Sequence, residues 1–213
     1  MQIIPAIIGS TAEEVKEKIE KVKEHVEWVQ IDIVDGKFAE PESWGRGIGD
    51  NLHLWEGENL PKIEIHLMVE NPGLLIDDWI STSVDRVLIH AESKGNHKKL
   101  IEEAKKVGTQ MGVALKLDTN ISIIDEYAKD LDVVQLMSIA TIGNYGAPFD
   151  EKVYDKIKSL KKQYPNVTIE VDGGVTLSNA KQLLEAGAEN LVAGSAIFKS
   201  GNIPEAIEQF KSL

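Results

Sequence analysis

Apolar and polar positions alternate from residue 28 to residue 36. Val29, Ile31 and Ile33 share one parity; Gln30, Asp32 and Val34 share the other. A period of two predicts a strand, and Asp35-Gly36 marks its end. One face of that strand is β-branched. The other carries an amide and a carboxylate two residues apart, pointing the same way. A carboxylate in mid-strand opposes β-propensity. It needs a cation, a metal or a substrate, unless this is a surface strand with a solvated face.

Comparable runs recur along the chain. Residues 3–8, 62–68, 84–90, 111–117, 131–137, 167–171 and 190–193 read as further strands. In residues 62–68, Ile63, Ile65 and Leu67 form one face, and Glu64, His66 and Met68 the other. Helical patterns lie between the strands. Ser10 or Thr11 caps a helix, and Thr11 with Glu14 reads as a capping box ahead of Val15, Ile19, Val22 and Val26 at helical spacing. Asn71-Pro72 opens a helix with Asn71 as cap. Further helices are expected over 96–107, 150–164, 178–186 and 204–210, with short ones over 48–55 and after Asn120 or Ser122.

Strand then helix, eight times over, requires parallel strands joined by helical crossovers. Eight such units in 213 residues predict one (β/α)8 barrel domain spanning residues 1–213. A doubly wound open sheet is the alternative. No Gly-x-Gly-x-x-Gly follows the first strand, which argues against a dinucleotide site.

Composition narrows the partners. A formal charge of −12 argues against a nucleic-acid backbone, though one local site can still hold a small phosphorylated ligand. The chain has no cysteine, which excludes disulfides and thiolate metal sites. The opening Met-Gln-Ile-Ile-Pro runs straight into a strand and lacks the regions of a signal peptide. No apolar run approaches the roughly 20 residues of a membrane helix. The expected location is the cytoplasm, with no membrane or nucleic-acid partner.

In a (β/α)8 barrel the chemistry sits at the C-terminal ends of the strands. Gln30, Asp32, His66 and Asp172 would then point into one end of the interior, a set suited to a divalent metal. Taken singly, His66 reads equally as a hydrogen-bonded core histidine and Asp172 as a turn cap. His90 either lines the site or caps its strand. His25, His53 and His97 read as surface residues. Trp44, Trp55 and Trp79 read as core or ordinary surface. Three glycine-bearing loops follow the last strands: Gly143 and Gly146, then Asp172-Gly173-Gly174, then Gly194-Ser195. Glycine lets backbone amides approach an anion, and such barrels often hold a phosphate after strands seven and eight. The same glycines also serve simply to turn the chain.

These stretches resemble the ribulose-phosphate 3-epimerases. The resemblance rests on Gln30-Ile-Asp-Ile-Val-Asp-Gly-Lys-Phe38, Ile65-His-Leu-Met-Val-Glu-Asn-Pro72, Ile89-His-Ala-Glu92, Gly112-Val-Ala-Leu115, Met137-Ser138, Glu170-Val-Asp-Gly-Gly-Val175 and Val192-Ala-Gly-Ser-Ala-Ile-Phe198, in the family's order. It implies inversion at C3 of a ketose phosphate, typically between ribulose 5-phosphate and xylulose 5-phosphate, through an enediolate. By position, Asp32 and Asp172 are the implied proton-transfer pair. Asp32, His66 and Asp172 are the implied ligands of a divalent metal, whether Zn, Mn, Fe or Mg. His66, Met68, Gly143, Gly146, Gly173, Gly174, Gly194 and Ser195 are the implied substrate contacts. The resemblance also implies a homo-oligomer, dimer or hexamer.

The chain departs from the family in three places. Gln30 replaces a histidine, offering a weak metal ligand or none and favouring Mn2+ or Mg2+ over Zn2+. Ala6 replaces a serine. Ala140-Thr-Ile-Gly-Asn-Tyr-Gly146 replaces a glycine-rich loop over the phosphate. Two other readings accompany these departures: a barrel that binds a phosphorylated ligand without turnover, and an epimerase for another sugar phosphate such as allulose 6-phosphate.

Overall fold

The computed structural model describes residues 1–47, 60–143 and 146–213. The helix expected over 48–55, with His53 and Trp55, lies outside the described residues.

Eight parallel strands close into a barrel in chain order: β1 (Gln2–Ile7), β2 (Trp28–Val34), β3 (Lys62–Met68), β4 (Arg86–His90), β5 (Gln110–Leu115), β6 (Val133–Met137), β7 (Thr168–Asp172) and β8 (Asn190–Ala193). β1 pairs with β8, so the sheet has no edge and the doubly wound alternative is excluded. Helices α1 (Ala12–Val22), α2 (Ile76–Ile80), α3 (His97–Lys106), α4 (Lys152–Gln163), α5 (Leu177–Ala186), α6 (Ser195–Phe198) and α7 (Ile203–Lys211) accompany the strands. No helix among the described residues is long and apolar enough to cross a membrane.

Strand parity separates two cores. Val29, Ile31 and Ile33 of β2, with Ile63, Ile65 and Leu67 of β3, pack outward against the helices. Val15, Ile19 and Val22 bury one stripe of α1 in the same cluster. Trp44 and Trp79 are both core residues there, meeting edge to face at 5.8 Å. Burying both tryptophans is worth several kcal/mol, since Trp→Ala in a core costs about 3–5 kcal/mol. The other parity points into the barrel. Asp32 pairs in register with His66, and Met137 with Asp172, so their side chains share a level.

Several expectations change in detail. Thr11 caps α1 by accepting from the Glu14 amide at 3.2 Å, while Glu14 reaches back to the Ser10 amide at 2.7 Å rather than to Thr11's own. α1 stops at Val22, and Val26 lies half-buried beyond it. The Asn71-Pro72 helix is a 3-10 turn, Pro72–Leu74, followed by the short α2, and the Asn71 side chain makes no capping bond. The helix after Asn120 is a pair of 3-10 turns, Ile121–Ile124 and Ala128–Asp130. His25 and His97 are half-buried rather than fully exposed. His97 meets the Ser93 hydroxyl at 3.0 Å and the Tyr127 ring edge-on.

Candidate active site

The interior residues near the C-terminal ends of β2, β3 and β7 converge. Asp32, His66 and Asp172 are all buried, and each brings one potential ligand atom within 4.8 Å of the other two. His66 Nδ1 lies 3.1 Å from Asp32 Oδ1 and 3.6 Å from Asp172 Oδ2. Gln30 lies in the same group, but its orientation differs from that of a ligand. Its amide nitrogen, not its oxygen, faces the others, 2.8 Å from Asp32 Oδ1 and 3.1 Å from Asp172 Oδ2.

His66 is oriented from behind. Its Nε2 meets His90 Nε2 at 2.9 Å, and the two rings stack with centroids 5.0 Å apart. His90 Nδ1 meets Glu92 Oε2 at 3.2 Å. A carboxylate accepts, so His90 Nδ1 carries a proton and its Nε2 accepts from His66 Nε2–H. The neutral His66 ring therefore turns its Nδ1 lone pair toward Asp32 and Asp172. Protonated, the same nitrogen donates to Asp32. His90 is thus a buried partner of the site, not a strand cap.

The charges of the group are tuned by burial and by each other. Burial, then the neighbouring Asp32, push the Asp172 carboxyl up to about 7, against the pull of His66 and Gln30. Burial alone would lower His66, but the bond and charge of Asp32, backed by Asp172, carry it above its ordinary value. Burial lowers His90 to about 4 despite Glu92. Glu92 is held down at about 2 because the hydrogen bonds from His90, Thr119 and the Lys116 amide outweigh its burial.

A cavity of about 50 Å³ opens above the group. Asp32, Asp172, Met68 and Ala6 form part of its wall; Gly143, Gly146, Gly173, Gly174, Gly194 and Ser195 form much of the rest. His66 is not among the lining residues, being sealed behind the aspartates. The cavity shares Gly146, Gly174 and Ser195 with an open groove of about 500 Å³ running past Thr176 and Ser178. Gly173 and Gly174 both need a left-handed backbone, with φ of 107° and 63°. A Cβ on Gly173 would strike the Ile139 side chain at 2.6 Å, so packing as well as turning demands glycine.

Some members of the site have roles that only the fold shows. Ser138 is fully buried and donates to the carbonyls of Asp172 and Gly173, pinning the turn that ends β7. One layer deeper, Gln135, Glu170, Glu64, Arg86 and Asn190 form a buried polar network. Arg86 pairs with Glu64 and with Glu170, and stacks over Trp28 at 4.2 Å. Glu64 and Met68 flank His66 on the polar parity of β3, and Thr168 and Asp172 flank Glu170 on that of β7, both visible signals; Gln135 sits singly within an apolar run.

Three donors of mixed oxygen and nitrogen type, buried and mutually within reach, fit a divalent cation with an open position. The comparisons with known proteins agree in family. The Ribulose-phosphate 3 epimerase family pattern matches residues 2–198. A chloroplastic ribulose-5-phosphate-3-epimerase of Arabidopsis thaliana is 32% identical over 99% of this chain and 76% of its own length. A ribulose-phosphate 3-epimerase of Bacillus subtilis is 31% identical over 99% of this chain and 98% of its own. Among solved structures, a 3-hexulose-6-phosphate synthase from Salmonella typhimurium superposes with a TM-score of 0.72 at 14% identity, covering 100% of this chain and 97% of that one, a likeness of fold alone. With the match running nearly end to end, the chain belongs to the ribulose-phosphate 3 epimerase family.

Proposed function

We propose that the protein is a ketose-phosphate 3-epimerase interconverting ribulose 5-phosphate and xylulose 5-phosphate, with Asp32 and Asp172 as the proton-transfer pair. The observation that carries this reading is the joint placement of two carboxylates, from β2 and β7, on the wall of one cavity. Inversion at carbon needs a base on one face of the C3–H bond and an acid on the other. Asp172, pushed up to about 7 by burial and by the neighbouring Asp32, can hold or release a proton near neutrality. A carboxyl poised near the working pH is suited to such an exchange. Asp32 takes the C3 proton in one direction while Asp172 donates to the opposite face, and the roles reverse on return.

The sugar lies against Asp32 and Asp172, and the phosphate end lies toward Gly146, Gly174 and Ser195, where the cavity meets the open groove. Met68 and Gly143 limit the sugar's position. Asp32, His66 and Asp172 would hold a divalent cation, with Mn2+ favoured by the single imidazole and two carboxylates. When bound, such a cation polarises the ketose carbonyl and stabilises negative charge on its oxygen. Retention of both aspartates and of the chain that orients His66 supports an enzyme rather than a binding barrel.

The test is incubation of purified protein with ribulose 5-phosphate in the presence of Mn2+, Zn2+, Fe2+ or Mg2+, following xylulose 5-phosphate. Product with at least one cation is expected. No product with any of them would sink the proposal.

A further inference from the structure

Gln30 sits beside Asp32, His66 and Asp172, yet its amide is turned the wrong way for a ligand. The cause lies outside the site. Glu170 Oε2 is approached by two donors, Arg86 Nη2 at 3.4 Å and Asn190 Nδ2 at 3.2 Å. Its Oε1 accepts from Gln135 Nε2 at 2.9 Å. A carboxylate engaged as acceptor on both oxygens obliges Gln135 to present its NH2 group. The second N–H of Gln135 points at Gln30 Oε1, 2.5 Å away. Gln30 must therefore give its oxygen to Gln135, which leaves its own NH2 for Asp32 and Asp172, with His66 Nδ1 at 3.3 Å.

Reversing Gln30 would set its oxygen against two carboxylates and its NH2 against that of Gln135. The arrangement also leaves a trace. Gln135 Oε1 is buried with no hydrogen-bond partner among the described residues, as expected of an amide held entirely by its nitrogen.

We propose that Gln30 is a positioning residue whose NH2 group, aimed by Glu170 through Gln135, occupies the same carboxylate oxygens a divalent cation needs, and so lowers the affinity of this site for metal. The inference rests on the reading that Asp32, His66 and Asp172 hold such a cation. It goes further in assigning Gln30 as a competitor of the cation rather than a weak ligand, and in placing the control of its direction on Glu170 and Gln135.

Gln135→Leu tests this, because it removes the lock while leaving the four metal-facing side chains intact. Mn2+ binding is measured by isothermal titration for wild type, Gln135→Leu, Gln30→Met and the double variant, each checked for a native circular dichroism spectrum. With Gln135 gone, Gln30 is free to turn its oxygen to the cation. The loss of one opposing hydrogen bond predicts a Kd lower by about tenfold in Gln135→Leu. The gain should vanish when Gln30→Met is the background, which isolates the coupling between the two residues. Equal or weaker binding in Gln135→Leu overturns the proposal and leaves the metal reading standing. Absence of Mn2+ binding in every protein overturns both.

A second measurement needs no variant. In a structure of the Mn2+-loaded wild type, Gln30 should keep its bond to Gln135 and stay out of the coordination shell. Gln30 oxygen bound to the ion would overturn the proposal even if Gln135→Leu failed to fold.

Discussion

The barrel interior holds two charged clusters one layer apart, and they are built differently. The deeper one sets Glu64 and Glu170 around Arg86, a permanent cation that also stacks on Trp28. The upper one sets Asp32 and Asp172 around Gln30 and His66, with no permanent cation among them. The deeper cluster is sealed; the upper one opens on the cavity. Burial and Glu170 push Glu64 well above the usual carboxylate range even beside Arg86. A guanidinium that cannot lose its proton makes the lower cluster self-contained. The upper cluster has only a neutral amide and a titratable imidazole, so it must take up a proton, a metal or a ligand to balance its carboxylates. The contrast separates a structural ion cluster from a chemical one within the same barrel.

The largest effect should follow from disabling the upper pair. Asp172→Asn is expected to lower kcat by about 10³-fold, within the range of general acid–base contributions. The same change should stabilise the metal-free protein. Because the folded carboxyl titrates near 7 and the unfolded one near 3.8, the native state binds more protons in between. Wild-type stability therefore falls as pH rises through that window, and the advantage of Asp172→Asn grows across it before levelling. Urea melts at a series of pH values would show this, and a variant less stable than wild type at pH 8 would contradict it.

Next in size is removal of the lower cation. Arg86→Met leaves Glu64 and Glu170 facing each other, buried and uncompensated. A loss of about 3–5 kcal/mol in unfolding free energy is expected, as for other broken buried ion pairs. A change under about 1 kcal/mol would mean that the cluster does not depend on its guanidinium.

Glu92→Gln addresses the chain that orients His66. A weakening of Mn2+ affinity by about 10-fold is expected, the low end of the scale for partners directly behind a ligand, because Glu92 reaches His66 only through His90. It also has a pH signature. With its folded carboxyl held at about 2 against 4.5, Glu92 contributes stability that is fully present above 4.5 and lost as pH falls toward 2. The stability gap between wild type and Glu92→Gln should close over that range. The smallest effect is expected of Ser138→Ala, about 1 kcal/mol of stability from the bond pinning the Asp172–Gly173 turn.

How much of this was legible follows from where each signal lies. Period two puts Gln30 and Asp32 on one face of their strand and His66 on one face of its own; the alternation of strands with helices gives the barrel, whose geometry aims these three and Asp172, at the close of residues 167–171, into one end of the interior. Gln135 does not stand out, because in a strand buried on both faces one polar residue among valines and leucines carries no pattern, whereas Glu170 shares its strand face with Thr168 and Asp172. Ser138 acts on backbone carbonyls of the next strand, and nothing local announces that. His90 was ambiguous because its role depends on Glu92, whose side chain turns back to it from beyond the strand end. The direction of the Gln30 amide is the least legible feature, since Gln135, which sets it, lies 105 residues away. Helix ends such as Val22 and the short turn at Pro72–Leu74 depended on tertiary packing that local pattern does not carry.

The central claim is that two aspartates from β2 and β7 exchange protons with the same carbon. The most direct measurement is incorporation of solvent deuterium at C3 when ribulose 5-phosphate is incubated with enzyme in D2O. Label at C3 of both epimers is expected with wild type, whereas Asp32→Asn and Asp172→Asn should each lose interconversion and keep exchange at most in the one epimer whose C3 proton faces the remaining aspartate. Wild-type interconversion, or exchange into both epimers, in either variant would contradict it.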